Sequence, residues 1–245
     1  MAGCATVAGF LILSIETSTG CGSVALTRGN HTDGHLLAEY TLRPDITHSR
    51  KLLGNISQVM ADAGVAWDQL DGLGISLGPG SFTGLRIGLA AAKGIAMASG
   101  VPLAGIGSLD GLALQYVGMD KPVWCMLDAR KGQVYGARYL YSPAGNRMVR
   151  QKEAQALAPE AVLEQVTEPT ILAGPGLAPF YELFASHELV TVLPETTIQP
   201  RAATIGFLAA DQIELGRAAD PASLTPLYAR ASEAEINAKK SAKQP

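Results

Sequence analysis

Gly78-Pro79-Gly80-Ser81-Phe82-Thr83-Gly84-Leu85-Arg86-Ile87-Gly88 is the stretch that decides the fold, a glycine-rich turn that runs directly into a segment of small residues. Gly84, Gly88, Ala92 and Ala96 recur at every fourth position, which on an α-helix places them in one stripe. Two glycines inside a helix cost about 1 kcal/mol each relative to alanine. Close packing of another element on that stripe is therefore expected to offset the cost.

Three interpretations of this segment remain open. The small stripe packs on the chain's own sheet, or it meets a helix of another chain, and both hold if opposite faces are used. In the third interpretation, the N–H groups of the turn cradle a phosphate. The spacing G-x-G-x-x-x-G is neither the dinucleotide fingerprint nor a Walker A loop, and no Lys-Ser or Lys-Thr follows it.

The composition is that of a globular protein. The chain has 245 residues, of which 47% are hydrophobic and 17% charged, enough for one large domain or two small ones. A net charge of −3 argues against autonomous nucleic-acid binding, which needs a basic face. Cys4, Cys21 and Cys125 form neither a zinc pattern nor a disulfide framework, so a reducing cytoplasm is expected. No signal peptide or membrane helix is expected.

Hydrophobic periodicity predicts an α/β fold in two units. In the first unit it predicts strands over 10–15, 23–27, 36–42, 72–77 and 103–106, and helices over 48–64, 83–100 and 108–117. In the second it predicts strands over 123–128, 133–141, 170–173 and 189–193, and helices over 159–166, 179–186 and 202–216.

The second unit repeats the opening of the first. Each begins with an apolar strand, then an acidic residue (Glu16 or Asp128), a polar turn and another strand. This repetition predicts a duplicated fold, with a first lobe over 1–118, used for dimerisation or partner binding, and a reduced second lobe over 119–231. The helix near 202–216 could pack back on the first lobe, and 232–245 is predicted to be a polar tail.

The arrangement resembles the actin/Hsp70-like superfamily, whose paired ribonuclease-H-like lobes have mixed central sheets flanked by helices. Within it, the chain is similar to the TsaB (YeaZ) family over about residues 10–231. The resemblance rests on Leu11 to Ser18, His48-Ser49, the glycine-rich block, Leu127 to Tyr135 and Pro226 to Arg230.

The resemblance implies a non-catalytic role in forming N6-threonylcarbamoyladenosine at position 37 of tRNAs that read ANN codons. The implied direct partner is the transferase TsaD, a paralogue with the same fold, and the ATPase TsaE joins a ternary complex. Isolated TsaB proteins can self-associate as homodimers, and tRNA is contacted only through the complex. No cofactor is required by the chain itself.

The two helices predicted over 48–64 and 83–100 are expected to pack with the same pair on TsaD as a four-helix bundle. The predicted contacts are Leu52, Leu53, Ile56, Met60, Gly84, Arg86, Gly88, Ala92 and Lys93. A Gly88→Leu change is expected to block this approach unless Gly88 faces inward.

No catalytic or metal-binding residues are predicted. The catalytic paralogue has a His-x-x-x-His metal element, and the corresponding positions here hold Ser108 and Leu112. A leucine cannot ligate a metal, and a lone serine is a poor ligand. His31-Thr32-Asp33-Gly34-His35 has the same spacing, but Asp33-Gly34 breaks helices and favours a hairpin turn.

A nucleotide-binding alternative uses the acidic turns of the two lobes. Weak ATP or ADP contacts would come from Glu16, Thr17, Ser18, Asp128, Gly174 and Gly176. On that alternative the chain is an ATPase or phosphotransferase of the actin/Hsp70-like superfamily. The other interpretation is that these residues are inherited turns, caps and strand ends.

Overall fold

Two mixed β-sheets organise the chain, which the computed structural model describes over residues 8–42, 49–194 and 199–227. The first sheet has the order β3-β2-β1-β4-β5. Strand β2 pairs antiparallel with both β1 and β3, whereas β4 and β5 run parallel to β1. Its strands are Leu11–Glu16 (β1), Gly22–Arg28 (β2), His35–Leu42 (β3), Gly72–Gly78 (β4) and Leu103–Gly107 (β5).

The second sheet repeats this connectivity. Its order is β8-β7-β6-β10-β11, again with a hairpin and third strand on one side and two parallel strands on the other. Its strands are Val123–Arg130 (β6), Gln133–Ser142 (β7), Arg147–Arg150 (β8), Gln155–Leu157 (β9, paired with β7), Thr170–Ala173 (β10) and Val190–Val192 (β11). The fold prediction, two lobes with mixed sheets flanked by helices, is confirmed.

The helices cover these sheets. In the first half of the chain they are Ser49–Asp62 (α1), Phe82–Ser99 (α2) and Ser108–Leu114 (α3). In the second half they are Pro159–Leu163 (α4), Tyr181–Ala185 (α5) and Ala202–Glu214 (α6). Ser81 Oγ accepts the N–H of Gly84 at the start of α2, and Gly100 ends the helix at φ +73°.

Strand β1 is buried throughout because helices cover both faces of its sheet. On one face, α1 and α2 pack on Leu11, Leu13 and Ile15. On the other face, α6 packs across β1, β2, β4 and β5, where Ile205 and Ala209 lie against the backbone of Gly74. The last described helix thus completes the core of the first sheet.

Helix α3 joins the two halves. Leu109, Leu112 and Tyr116 belong to the core that is built around β6 and β7 of the second sheet. The Asp110 carboxylate accepts hydrogen bonds from Tyr139 Oη at 2.8 Å and from the Arg150 guanidinium. This polar cluster and the apolar core fix α3 to the second sheet.

Two strands were not predicted from the sequence. Both β8 and β9 are short, and β8 carries arginines at both ends and lies at the edge of its sheet. The helix predicted over 179–186 is preceded by a 3₁₀ segment, Pro175–Phe180, so that α5 begins only at Tyr181. His48, the motif residues 228–230 and the predicted tail over 232–245 lie outside the described residues.

Candidate functional site

The small-residue stripe of α2 faces the chain's own interior. A Cβ atom at Gly84 would overlap the carbonyl oxygen of Thr17, and one at Gly88 would overlap Thr17 Oγ1. Ala92 is fully buried in the core of the first sheet. The prediction that Gly84, Gly88 and Ala92 contact a partner is therefore wrong, because the turn after β1 covers the two glycines and the apolar core encloses Ala92.

Three apolar residues of α1 need the same correction. Leu52, Ile56 and Met60 are buried against the first sheet, so the periodicity that singled them out marks core packing. Of the nine predicted contacts, Leu53, Arg86 and Lys93 remain at or near the surface. Their role in a partner interface stays a prediction.

These three side chains differ in exposure and in the contacts that they make within the chain. Leu53 is 61% exposed. Arg86 places its guanidinium carbon 3.7 Å from the centre of the Phe82 ring, and Lys93 Nζ donates to the carbonyl of Ala222 at 3.2 Å. Among the apolar residues predicted to contact a partner, Leu53 is therefore the one with an exposed side chain.

A different stripe of small residues faces outward. On α1 and α2 it consists of Gly54, Ser57, Ala61, Ala90, Gly94 and Ala98, all exposed. Leu53 and Met97 flank it, and Met97 is 74% exposed. We call these eight residues the outer helix face. Ala90, Gly94 and Ala98 also recur at every fourth position in the sequence. The buried stripe has the same spacing, so spacing alone does not show which stripe faces outward.

The turn that fills the inner stripe is itself buried. Glu16 Oε1 accepts the N–H of Ser18 at 2.5 Å, and the N–H of Ser81 donates to the carbonyl of Ser18 at 2.6 Å. Glu16 Oε2, Thr17 Oγ1 and Ser18 Oγ have no hydrogen-bond partner among the described residues. Burial raises the pKa of Glu16, and the hydrogen bond from Ser18 opposes that rise.

The second lobe has an equivalent arrangement. A Cβ atom at Gly174 would overlap the carbonyl oxygen of Met126, and one at Gly176 would approach the Leu127 backbone to 2.6 Å. Asp128 is exposed, and its Oδ1 accepts the N–H of Arg130 at 2.7 Å within the same hairpin. In both lobes, the glycine turn after β4 or β10 lies directly against the chain at or just after the end of the first strand, β1 or β6.

This geometry bears on the residues chosen for nucleotide contact. The side chains of Glu16, Thr17 and Ser18 are each at most 2% exposed. Gly174 and Gly176 lie directly against the backbone of β6. Close packing within each lobe accounts for all of them except Asp128. Nucleotide contact by these residues stays a prediction.

Comparison with known proteins agrees with this duplicated architecture. The family model for TsaD, described as tRNA N6-adenosine threonylcarbamoyltransferase, matches residues 35–238. The TsaB protein of Bacillus subtilis is 29% identical over 227 residues, which cover 91% of this chain and 96% of that protein. This chain belongs to the TsaB (YeaZ) family.

Other matches show the limits of the similarity. An uncharacterised protein of Mycobacterium leprae is 35% identical over 129 residues, but the chain spans only 35% of its length. The structure of YeaZ from Pseudomonas aeruginosa superposes with a TM-score of 0.73 at 24% identity, covering 89% of this chain and 99% of that one. The second match supports the fold of the TsaB family.

The two positions aligned by resemblance with the TsaD histidines have structural roles in this TsaB-family chain. Ser108 Oγ accepts the N–H of Gly78 at 3.1 Å, and Leu112 is fully buried in the core of the second sheet. Over 8–42, 49–194 and 199–227, no three His, Cys, Asp or Glu side chains are grouped so that they could hold a metal ion.

The His31–His35 spacing is part of a hairpin, as predicted. Residues 31–33 form the turn, and His35 begins β3. His31 Nδ1 lies 2.7 and 2.9 Å from the two carboxylate oxygens of Asp211, and its Nε2 lies 3.2 Å from the carbonyl of Gly145. Among the helices that the structure describes, none has the length and apolarity needed to cross a membrane.

Proposed function

We propose that this chain is the non-catalytic partner of TsaD in tRNA N6-threonylcarbamoyladenosine biosynthesis. The proposal rests on membership of the TsaB family, because the chain is similar to the B. subtilis protein along nearly the full length of both proteins. That relative is named as a tRNA threonylcarbamoyladenosine biosynthesis protein. A cytoplasmic location, in which the thiols of Cys21 and Cys125 stay reduced, is part of the proposal.

The assignment as a non-catalytic subunit rests on side chains that already have structural partners. Leu112 contributes to an apolar core and cannot ligate a metal, while Ser108 supports the backbone of the glycine turn. Any ATP or ADP is expected to bind weakly, because Glu16 and Thr17 are covered by the glycine turn and α2. We propose that the catalytic centre belongs to TsaD.

The partner surface is the outer helix face. A Cβ atom at Gly54 or Gly94 would meet nothing within 4 Å, so neither glycine is required by packing inside this chain. Each nevertheless costs the isolated helix about 1 kcal/mol relative to alanine. Close approach of a partner helix would explain why both positions are glycine. The exposed side chains of Leu53 and Met97 add apolar area beside them.

We propose that two such helices of TsaD pack on this face, forming the four-helix arrangement implied by the shared fold. Self-association of the isolated chain would use the same face. TsaE and tRNA would join through the TsaD complex, since the net charge of −3 gives this chain no general attraction for RNA.

The test is a reconstituted tRNA modification reaction, with and without this chain. It contains TsaD, TsaE and TsaC, the protein that makes the threonylcarbamoyl adenylate used by TsaD. Formation of threonylcarbamoyladenosine over many turnovers only in its presence supports the accessory role. An equal yield without the chain contradicts that role.

A Gly94→Gln variant tests the surface. Glutamine favours the helix, so the variant is expected to unfold at a higher temperature when both proteins are measured as monomers, while its affinity for TsaD falls at least tenfold. Ala185→Gln, on the exposed side of α5 in the second lobe, is the matched control and should bind TsaD normally. Unchanged affinity of Gly94→Gln would contradict the outer helix face as the interface.

A further inference from the structure

A cavity of about 570 Å³ opens between the two lobes, away from both glycine turns. Its walls come from β5, α3, β8, the C-terminal half of α6 and the turn that holds His31. The volume is in the range of small-molecule sites in proteins. None of its lining residues was singled out as a binding residue from the sequence.

Each acidic group that lines the cavity already has a donor. Asp110 accepts from Tyr139 and Arg150, Asp211 pairs with His31, and Glu214 accepts from Asn30 Nδ2 at 3.2 Å. Asp110 and Asp211 are therefore paired with cationic groups, whereas Glu214 has a neutral hydrogen-bond donor and keeps its charge.

Two cations in the lining are uncommitted. Arg147 and Arg217 are exposed, and neither forms an ion pair with a carboxylate in the described parts of the chain. A guanidinium has five donors in a planar fork, which suits the oxygens of a carboxylate or a phosphate. The cavity is therefore lined by acidic groups that have hydrogen-bond donors within the fold and by two arginines that can donate to an anion.

Apart from His31 and Gln212, the remaining lining is apolar. Ile106 is buried, and Leu114, Met148 and Leu208 are half-buried at the cavity wall. A ligand that fits this surface has an apolar body and an anionic end. Inorganic anions alone would leave the apolar wall in contact with water.

We propose that this interlobe cavity binds a small organic oxyanion, a carboxylate or phosphate monoester, through Arg147 and Arg217, with its apolar part on Ile106, Met148 and Leu208. The site lies outside the outer helix face and does not depend on pairing with TsaD. It is a binding site, and no covalent step is assigned to it.

Titration of the full chain at low ionic strength tests the proposal, with phenyl phosphate and benzoate as probes and benzyl alcohol as the neutral analogue. Affinities for such small probes are expected in the range of about 1–10 mM. Chemical-shift changes in ¹H–¹⁵N spectra should be saturable for the two anions and much weaker for the alcohol. A preference for phenyl phosphate or for benzoate shows whether the cavity favours a phosphate monoester or a carboxylate.

The double variant Arg147→Gln/Arg217→Gln should weaken anion binding at least tenfold and leave the unfolding temperature nearly unchanged, because both side chains are exposed. Arg130→Gln, in the β6–β7 hairpin outside the cavity, is the matched control. Absence of saturable binding, equal binding of benzyl alcohol, or unchanged affinity in the double variant would each overturn the proposal.

Discussion

At the scale of single residues, the contact between Gly88 and Thr17 determines how α2 sits on the first sheet. Thr17 Oγ1 occupies the space that a side chain at position 88 would need, and Ile75 Cδ1 lies 3.2 Å from the same point. Both neighbours are buried, so neither can move aside freely. The glycine is required by the packing of this chain.

We therefore expect Gly88→Ala to destabilise the isolated chain by about 1–3 kcal/mol, the usual cost of overpacking. Thr17→Ala removes the overlapping hydroxyl, which has no hydrogen-bond partner among the described residues. The double variant should be more stable than Gly88→Ala alone. Urea unfolding of the four proteins gives the coupling free energy, and additive effects would show that the contact is not the cause.

Glu16 gives a second residue-scale prediction. Because burial raises the pKa of this acid in the folded chain, ionisation costs stability once the pH rises above the unfolded pKa of about 4.3. Glu16→Gln should raise the Tm by a few degrees at pH 7, and the gain should disappear as the pH falls to about 4. A lower Tm for the variant at pH 7 would show that the carboxylate is stabilised by its ionised form.

At the scale of elements, α2 has two sides with opposite requirements for glycine. Gly84 and Gly88 face buried atoms of the turn after β1, whereas Gly94 faces open space, as does Gly54 on α1. The same substitution should therefore have opposite effects on stability along one helix. This contrast separates positions where packing within the chain requires glycine from positions where it does not.

Gly94→Ala and Gly54→Ala are each expected to stabilise the isolated chain by about 0.5–1 kcal/mol, because alanine restricts the unfolded chain and meets no obstacle. Thermal unfolding of the single and double variants measures the gains, which should add. A loss of stability in either variant would mean that the position is constrained within the chain.

The sequence predicted the strands and helices of the first lobe closely, because long apolar runs and the capped α2 carry clear periodic signals. It did not reveal β8 and β9, whose short, polar sequences are held by pairing with β7. It also placed the predicted partner contact on a stripe of α2 that is buried within the chain. Spacing identifies a stripe, but only the position of Thr17 shows what covers that stripe.

At the scale of the whole molecule, His31 connects three separated parts of the chain. It lies in the β2–β3 turn and contacts Asp211 on α6 and the Gly145 carbonyl in the second lobe. An imidazole donates to both acceptors only when it is protonated. Burial lowers the pKa of His31, but the hydrogen bonds to Asp211 and Gly145 outweigh burial and the nearby Arg147, so the net pKa is raised.

The contribution of His31 to stability should therefore be complete below about pH 6.5 and be lost as the pH rises through its higher folded pKa. We expect His31→Gln to lower stability by about 1 kcal/mol in the acidic range, and the deficit to shrink toward pH 8.5. Glu214 and Thr32 also lie close to this contact and are kept unchanged. Tm values across pH 5.5–8.5 measure the difference.

His35→Gln, on the exposed strand β3, is the matched control for the loss of one imidazole. A deficit of His31→Gln that grows with pH would contradict a protonated contact between the lobes. A constant deficit would assign the effect to packing alone.

The position of α6 also has a consequence for how the protein is made. The strands of the first sheet leave the ribosome well before the helix at residues 202–214 that covers one of its faces. Until that helix is synthesised, Ile12 and Ala104 on this face lack their main apolar cover. Completion of the first sheet thus waits for residues 202–214, and a ribosome stalled before residue 202 would present that open sheet to chaperones and proteases.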